Sequence, residues 1–528
     1  MNQVHGYLRI RCVTGFALLA ACIVLRAAEP TDKGAVDLQV ISGEETGLTK
    51  IMENWAADEL QRQGGKYGDH GWWLWGLTAV DFDNDGDADL VPTHHGSSGG
   101  LLIRNLLKET GKLTFTNATA AMGVASRDLP QGMGLRTFAM DLNGDGWLDL
   151  VGVRSAHFIN EKGMRFVPAG KQRFDTIYPL STDDFNGDGH PDFEDGVNAM
   201  IWNPAASEFK AQALSLPFTS NIPPVVMEQV AEKLKKVRFW RYHYITDCDL
   251  DGDGINDVVV TGFAGYSGNG QTRFLAADKD GRLADRTDAS GLPGDAAIIL
   301  LFDFNGDGAV DVLNAQTPQS GLYLNDGHGK FTLTPGPVTA FLKQTGPYLH
   351  RAWAVDFNCD GKPDLVLSNP RFGRAEIYEN LGGGNFKVLH KATGWDSDPV
   401  AVCDVDGDGL PDVVIGGPAN SITIYLNRTP APGRYCNIYP RMNAPNLFAV
   451  GSVVEVYRAG ELGKSGSRPI LRSKAPADGT PVHIGLGEAK QFDLRVRFPA
   501  PDRKLVELTA VETKKVTVTP DGKIGELP

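Results

Sequence analysis

Leu301-Phe-Asp-Phe-Asn-Gly-Asp-Gly-Ala-Val-Asp-Val-Leu313 carries oxygen-bearing side chains at Asp303, Asn305, Asp307 and Asp311, with Gly308 before the last of them. Counted from the first acid, these are positions 1, 3, 5 and 9, with glycine at 6. Calcium takes six to eight oxygen ligands in a flexible cage, and carboxylates at alternate positions of a tight loop supply them at the right separation. Glycine at position 6 reverses the chain without a Cβ clash. The flanking runs, Ile298 to Phe302 before and Val312-Leu313 after, read as strands. Position 12 carries no glutamate, so the loop is not an EF-hand.

The pattern recurs seven times, and the copies are numbered here as loops 1 to 7. Loop 1 is Asp81, Asp83, Asp85 and Asp89; loop 2 is Asp141, Asn143, Asp145 and Asp149; loop 3 is Asp184, Asn186, Asp188 and Asp192. Loop 4 is Asp249, Asp251, Asp253 and Asp257, and loop 5 is the stretch above. Loop 6 is Asp356, Asn358, Asp360 and Asp364, and loop 7 is Asp404, Asp406, Asp408 and Asp412. Four uncompensated acids in one loop would repel one another, so an ion in every loop is the economical reading.

First acids are separated by 43 to 65 residues. Such a period, with several short strands in each repeat, indicates a propeller rather than a solenoid. A strand leads into each loop and a second leaves it. A third ends near Asn, as in Gly321-Leu-Tyr-Leu-Asn325 and Ala375-Glu-Ile-Tyr-Glu-Asn380, and a glycine-rich turn then precedes a short aromatic strand at Phe331 or Phe386. The expected fold is an all-β, seven-bladed β-propeller with a calcium loop in each blade, spanning residues 66–428. These features resemble the FG-GAP and VCBS repeats of the integrin α-subunit propeller type. The resemblance implies ions between the first and second strands of each blade, about seven Ca2+ in all.

Two helices interrupt the pattern: an amphipathic one from Leu48 to Gln63, within an N-terminal segment 29–65, and an insertion over 222–238 after Pro223-Pro224. After Thr429-Pro-Ala-Pro-Gly433 no calcium loop occurs. Alternating runs at Ser452–Tyr457, Phe492–Phe498 and Lys514–Thr519 predict a small sandwich-like β domain over 434–528. Its segments Ala449 to Val456, His483 to Ala489 and Arg495 to Pro499 resemble the ASPIC/UnbV domain that follows such propellers in secreted proteins similar to cartilage acidic protein. Phe498 stands where that family has Trp. His483 reads as a packed turn histidine rather than a catalytic one.

Residues 1–28, with Arg9 and Arg11 before the apolar run Cys12 to Leu25, read as an export signal. Leu19-Ala-Ala-Cys22 resembles a lipobox, which makes Cys22 an alternative lipid anchor. The expected location is periplasmic, cell-surface or extracellular. No other run is long enough for a membrane helix. Removing the signal takes the net charge from −14 to −17, which argues against nucleic acid as a partner; seven divalent ions would bring it to −3. Cys248, Cys359, Cys403 and Cys436 have no regular spacing and form no disulfide framework.

Gly96-Ser-Ser-Gly-Gly100 matches the nucleophile-elbow pattern in letters only, since no helix follows it. The connections into the first strands are rich in aromatics and arginine, and converge near the axis at the face opposite the calcium loops. Trp73, Arg136, Arg241, His243, Arg351 and Trp353 are the candidate ligand-binding residues there. Asp396 and Asp398 occupy the seventh such connection. The expected function is a binding or adhesion module for a glycan or extracellular protein. The alternative is a calcium-dependent polysaccharide lyase or hydrolase using Arg241, His243, His350 and Arg351.

Overall fold

The computed structural model describes residues 35–62, 74–94, 100–124, 136–153, 157–169, 181–194, 198–213, 241–263, 270–280, 282–315, 317–344, 351–369, 374–393, 399–417, 421–430, 432–499 and 503–525. The signal and Cys22, the 222–238 insertion, Trp73, His350, Asp396, Asp398 and the Gly96–Gly99 stretch lie outside them. The described residues are all-β, built from small antiparallel four-stranded sheets of the kind a β-propeller uses as blades.

Each calcium-type loop joins the first two strands of one such sheet. In the fifth, Ala297–Phe302 pairs with Asp311–Ala315, then Gly321–Asn325, then Phe331–Thr334, in chain order. The sixth repeats this with Arg351–Val355, Asp364–Asn369, Arg374–Gly382 and Asn385–Thr393. The register is pinned by burial, since second strands buried on both faces, such as Asp311–Ala315 and Asp364–Asn369, cannot slip by one residue without moving their apolar set.

The seventh sheet departs from the sequence reading. Val400–Cys403, Asp412–Gly416 and Ile422–Asn427 take their fourth strand from the other end of the chain: Leu38–Ile41 pairs antiparallel with Ile424–Asn427. The segment 29–65, read as helical, therefore contributes a strand as well as a helix. No local pattern announces it, because a four-residue run gains its partner nearly 400 residues away. The helix itself spans Leu48–Arg62 and buries Leu48, Met52 and Trp55 in a cluster shared by the first and seventh sheets.

Apolar clusters fill the spaces between neighbouring sheets. Leu250, Val259 and Phe274 meet Val312, Tyr323 and Phe331 between the fourth and fifth; Phe304, Leu313 and Leu322 meet Leu365, Leu367 and Tyr378 between the fifth and sixth. Leu90 and Ile103 of the first sheet pack on Val414 and Ile424 of the seventh.

The C-terminal part consists of two four-stranded sheets. One is ordered Val482–Gly487, Arg434–Pro440, Lys515–Val518, Ile524–Gly525, and the other Leu471–Lys474, Val453–Arg458, Phe492–Arg497, Leu505–Val511. Cys436, Ile438 and Val516 of the first pack on Val454, Leu494 and Val496 of the second, with Phe498 buried among them. Arg434–Pro440 and Lys515–Val518 run parallel.

Candidate metal centres

The seven loops share one hydrogen-bonding plan. Position-1 aspartate turns a carboxylate oxygen onto the N–H of the position-6 glycine, at 2.7–3.0 Å in every loop. Those glycines have φ between +85° and +96°, a region where a side chain would strain the turn. Position 4 is also left-handed, filled by glycine in five loops and by Asn84 and Cys359 in the others.

Position 9 works differently. One oxygen of each position-9 aspartate accepts the N–H of residue 2 of its loop, at 2.8–3.1 Å. The other accepts an N–H at the end of the third strand, at 2.6–3.0 Å. This acid, almost wholly buried in each loop, ties three segments of a sheet together. Residue 2 is Phe, Leu or Val throughout, a signal in the sequence that the 1-3-5-9 reading did not use.

The third-strand asparagines link one sheet to the loop of the sheet before it. Asn160 donates Nδ2–H to the carbonyl of Phe82 (2.7 Å), Asn325 to Leu250 (2.9 Å), Asn380 to Phe304 (2.9 Å) and Asn427 to Phe357 (2.7 Å). Asn105 of the first sheet donates to Val405 of loop 7, at 2.9 Å. In the third sheet, where Trp202 supplies the strand N–H instead of an asparagine, the His190 ring faces the Leu142 carbonyl at 3.3 Å.

A divalent cation fits the donor set. Asp81, Asp83 and Asp85 each bring an oxygen within 4.8 Å of the others, as do Asp249, Asp251 and Asp257, and Asp404, Asp406 and Asp412. Asp251, Asp404 and Asp406 each hold a buried carboxylate oxygen that accepts no hydrogen bond. An oxygen in that state costs free energy unless a cation meets it.

In the ion-free loops burial raises the acids, opposed by the backbone N–H groups they accept. Asp89 is pushed to about 9, Asp149, Asp192 and Asp412 to about 8, and Asp257 and Asp311 to about 7. Asp81, Asp141, Asp184 and Asp404 are raised to about 6. Raised folded-state values mean that the folded chain binds more protons than the unfolded one. Their contribution to stability is complete below the usual carboxylate range and is lost as pH rises through 6 to 9. Ion-depleted protein should therefore melt at a lower temperature at pH 8.5 than at pH 5.5, and calcium should erase most of that difference. A melting temperature that rises with pH in depleted protein would contradict this electrostatic picture.

At the opposite end of the sheets, Arg136, Arg241 and Arg351 are each the first residue of a first strand, paired with Val153, Phe263 and Ser368 respectively; Arg136 and Arg351 share a register five residues before the first acid, while Arg241 starts a longer, bulged strand eight residues before Asp249. His243 and Trp353 sit two residues further in, opposite Thr261 and Val366. The side chains of Arg136, Arg241 and His243 lie outside the described set. Arg351 is half-buried, and Trp353 packs partly against the apolar cluster shared by the sixth and seventh sheets.

The C-terminal domain rests on the loop side. Pro445 packs on Gly144 and Gly189, Leu447 on Gly146, and Lys474 pairs with Asp183 at 3.4 Å. Arg468 donates to the carbonyls of Gly308 (3.2 Å) and Gly327 (3.3 Å). At loop 6, Gly487 N–H bonds the Cys359 carbonyl (2.8 Å), and Asp356 leaves no room for a side chain at Gly485. His483 lies on a strand rather than in a turn. Its Nδ1 meets Asn437 Oδ1 at 2.7 Å and its Nε2 meets Cys359 Sγ at 3.7 Å. This has the connectivity of a cysteine–histidine–asparagine triad, but Cys359 has no exposed surface, and burial raises its thiol while lowering His483 to about 4. With no exposed surface, the Cys359 thiol meets no substrate path and joins loop 6 to the C-terminal sheet. All four described cysteines are free.

Among the described residues no helix is long and apolar enough to cross a membrane. Similar solved structures include an Agrocybe aegerita lectin that recognises non-reducing terminal N-acetylglucosamine, at 20% identity and a TM-score of 0.35, covering 63% of this chain and 82% of that one. An extracellular domain from B. thetaiotaomicron matches at 8% identity and a TM-score of 0.36, over 90% of this chain and 58% of that one. The V. cholerae biofilm matrix protein Bap1 matches at 10% identity and a TM-score of 0.30, over 77% and 82%. No curated protein sequence matches the chain. The FG-GAP-like repeat family matches residues 249–314, 303–367 and 356–415, so loops 4 to 7 lie in FG-GAP-like repeats.

Proposed function

We propose that this chain is an exported calcium-binding propeller, its seven sheets closed into a ring, that acts as a binding or adhesion module for a glycan or an extracellular protein. The observation that carries the calcium reading is the set of buried carboxylate oxygens in loops 4 and 7 that accept no hydrogen bond. Ring closure is supported by the Asn105–Val405 hydrogen bond and the apolar cluster common to the first and seventh sheets. Binding is favoured over catalysis because the one triad-like arrangement among the described residues is sealed between domains. The ligand face is assigned to the end bearing Arg136, Arg241 and Arg351, since the C-terminal domain covers much of the other. The C-terminal sandwich is read as an ASPIC/UnbV-like domain.

Elemental analysis after dialysis against micromolar calcium should return about seven calcium ions per chain. Fewer than about four would remove the claim of one per loop. For a ligand found on a glycan array, Arg351→Ala should weaken binding about ten- to hundredfold, the loss of a charged hydrogen bond, with the calcium content unchanged. Binding equal to wild type would move the site elsewhere, and turnover of the ligand would favour the lyase or hydrolase reading.

A further inference from the structure

The seven loops are of two chemical kinds. Loops 1, 4 and 7 have aspartate at position 3, and loops 2, 3, 5 and 6 have asparagine there. In two of the three Asp-type loops an arginine pairs with the loop acids. In loop 7 the Arg428 guanidinium pairs with Asp406 at 2.5 Å and Asp408 at 3.0 Å. In loop 1 Arg104 pairs with Asp83, and with Asp85 at 3.4 Å. Asp145, Asp188 and Asp307, the position-5 acids of loops 2, 3 and 5, have no ion pair with a lysine or arginine among the described residues. There the position-3 amide instead donates to the position-5 carboxylate, at 3.1, 2.8 and 2.8 Å.

We infer that Arg104 and Arg428 are charge-balancing residues: each offsets the fourth carboxylate of its loop, so that loops 1 and 7 present the same net charge to a cation as the Asn-type loops. Counted over positions 1, 3, 5 and 9, an Asp-type loop with its arginine carries −3, as does an Asn-type loop without one. Loops 4 and 6 depart from this count, loop 4 keeping −4 because none of its acids pairs with a lysine or arginine among the described residues. Loop 6 departs the other way. It has Asn358 and also Lys362 against Asp360, which leaves −2 and makes it the weakest of the seven. The two arginines sit outside the loops, on or beside the third strands, and each acid keeps oxygens for an ion while its other oxygen holds the guanidinium. Loop 1 carries a fifth acid, Asp87, whose carboxylate accepts the Lys108 N–H at 2.5 Å, and its Arg104 also pairs with Glu109 at 2.6 Å, so loop 7 gives the cleaner test.

The inference rests on the calcium reading above, and site-resolved titration separates the two. Hydrogen exchange of a peptide covering residues 404–411 is followed as calcium is added to depleted protein. Removing one unit charge roughly 6 Å from a divalent ion in a water-like dielectric changes affinity about tenfold. Arg428→Gln should therefore lower the calcium midpoint at loop 7 about tenfold, and Asp406→Asn should raise it about tenfold. The double variant Asp406→Asn with Arg428→Gln, which rebuilds an Asn-type loop, should return to within about threefold of wild type. Asn305→Asp should tighten loop 5 by the same factor, since Arg468, which reaches this loop, donates to the Gly308 carbonyl and pairs with none of its acids. If wild-type loops gain no protection with calcium, the calcium reading falls and this one with it. If wild type responds but Arg428→Gln and Asn305→Asp leave their midpoints unchanged or raise them, the balancing role alone is overturned.

Discussion

Removing calcium should lower the melting temperature by about 20 °C. An ion that binds only the folded state adds about 2.7 kcal/mol per site at a free concentration of 100 Kd, so seven sites contribute about 19 kcal/mol. A chain of 528 residues has an unfolding entropy that converts about 1 kcal/mol into about 1 °C. Ion-free, the loops hold carboxylates a few ångströms apart in a partly buried setting, which adds repulsion to the lost binding energy. Scanning calorimetry in millimolar calcium and in excess chelator measures the difference directly. Superimposable transitions would show that the loops are not structural calcium sites.

Asp311→Ala should destabilise the protein by about 2–4 kcal/mol even in chelator, whereas Asp307→Ala should do so only when calcium is present. Asp311 is completely buried, and its two oxygens accept the N–H groups of Phe304 and Asn325, both at 2.8 Å. Alanine leaves those donors without an acceptor in a site water cannot reach, at about 1–3 kcal/mol each. Asp307 is exposed and accepts the N–H of Ala309 at its own turn, a contact that solvent replaces. Urea unfolding of both variants, with and without calcium, separates the latch from the ligand. Equal losses in chelator would show that positions 5 and 9 do not divide the work this way.

The repeats were legible because their chemistry is local. Five positions of nine are constrained by a cation and a turn, and Gly321–Asn325 falls on the residues its sequence pattern marks out. Loop spacing likewise placed the first and second strands, since a loop of this kind must join them. What escaped was long-range. Position 9 looks like a ligand and nothing more until its two backbone donors are seen, one from a strand 14 residues on in loop 5. Arg104 and Arg428 belong to no motif, because nothing in their own segments distinguishes them from surface cations. The strand Leu38–Ile41 is recognisable only by its partner Ile424–Asn427. The packing of the C-terminal domain on the loops depends on single residues, Pro445 and Arg468, whose neighbours in sequence say nothing of the surface they meet.

That borrowed strand orders events during synthesis. The first six sheets draw their described strands from neighbouring sequence and can form as each segment emerges, but Leu38–Ile41 must wait until Ile422–Asn427 has been made. The waiting segment is held from several sides once it docks: Val36 N–H bonds Glu379, Asp37 N–H bonds Thr429, and Arg428 N–H bonds the Asp37 carbonyl. Every one of those partners comes late in the chain. A nascent or prematurely terminated polypeptide ending before Ile422 would carry an open strand edge at Leu38–Ile41 beside a Leu48–Arg62 helix whose apolar side lacks its seventh-sheet partners. Such an edge is a template for pairing with another chain. Incomplete copies are thus the aggregation-prone species, and chaperone demand should fall on the amino-terminal 60 or so residues until the last sheet is finished.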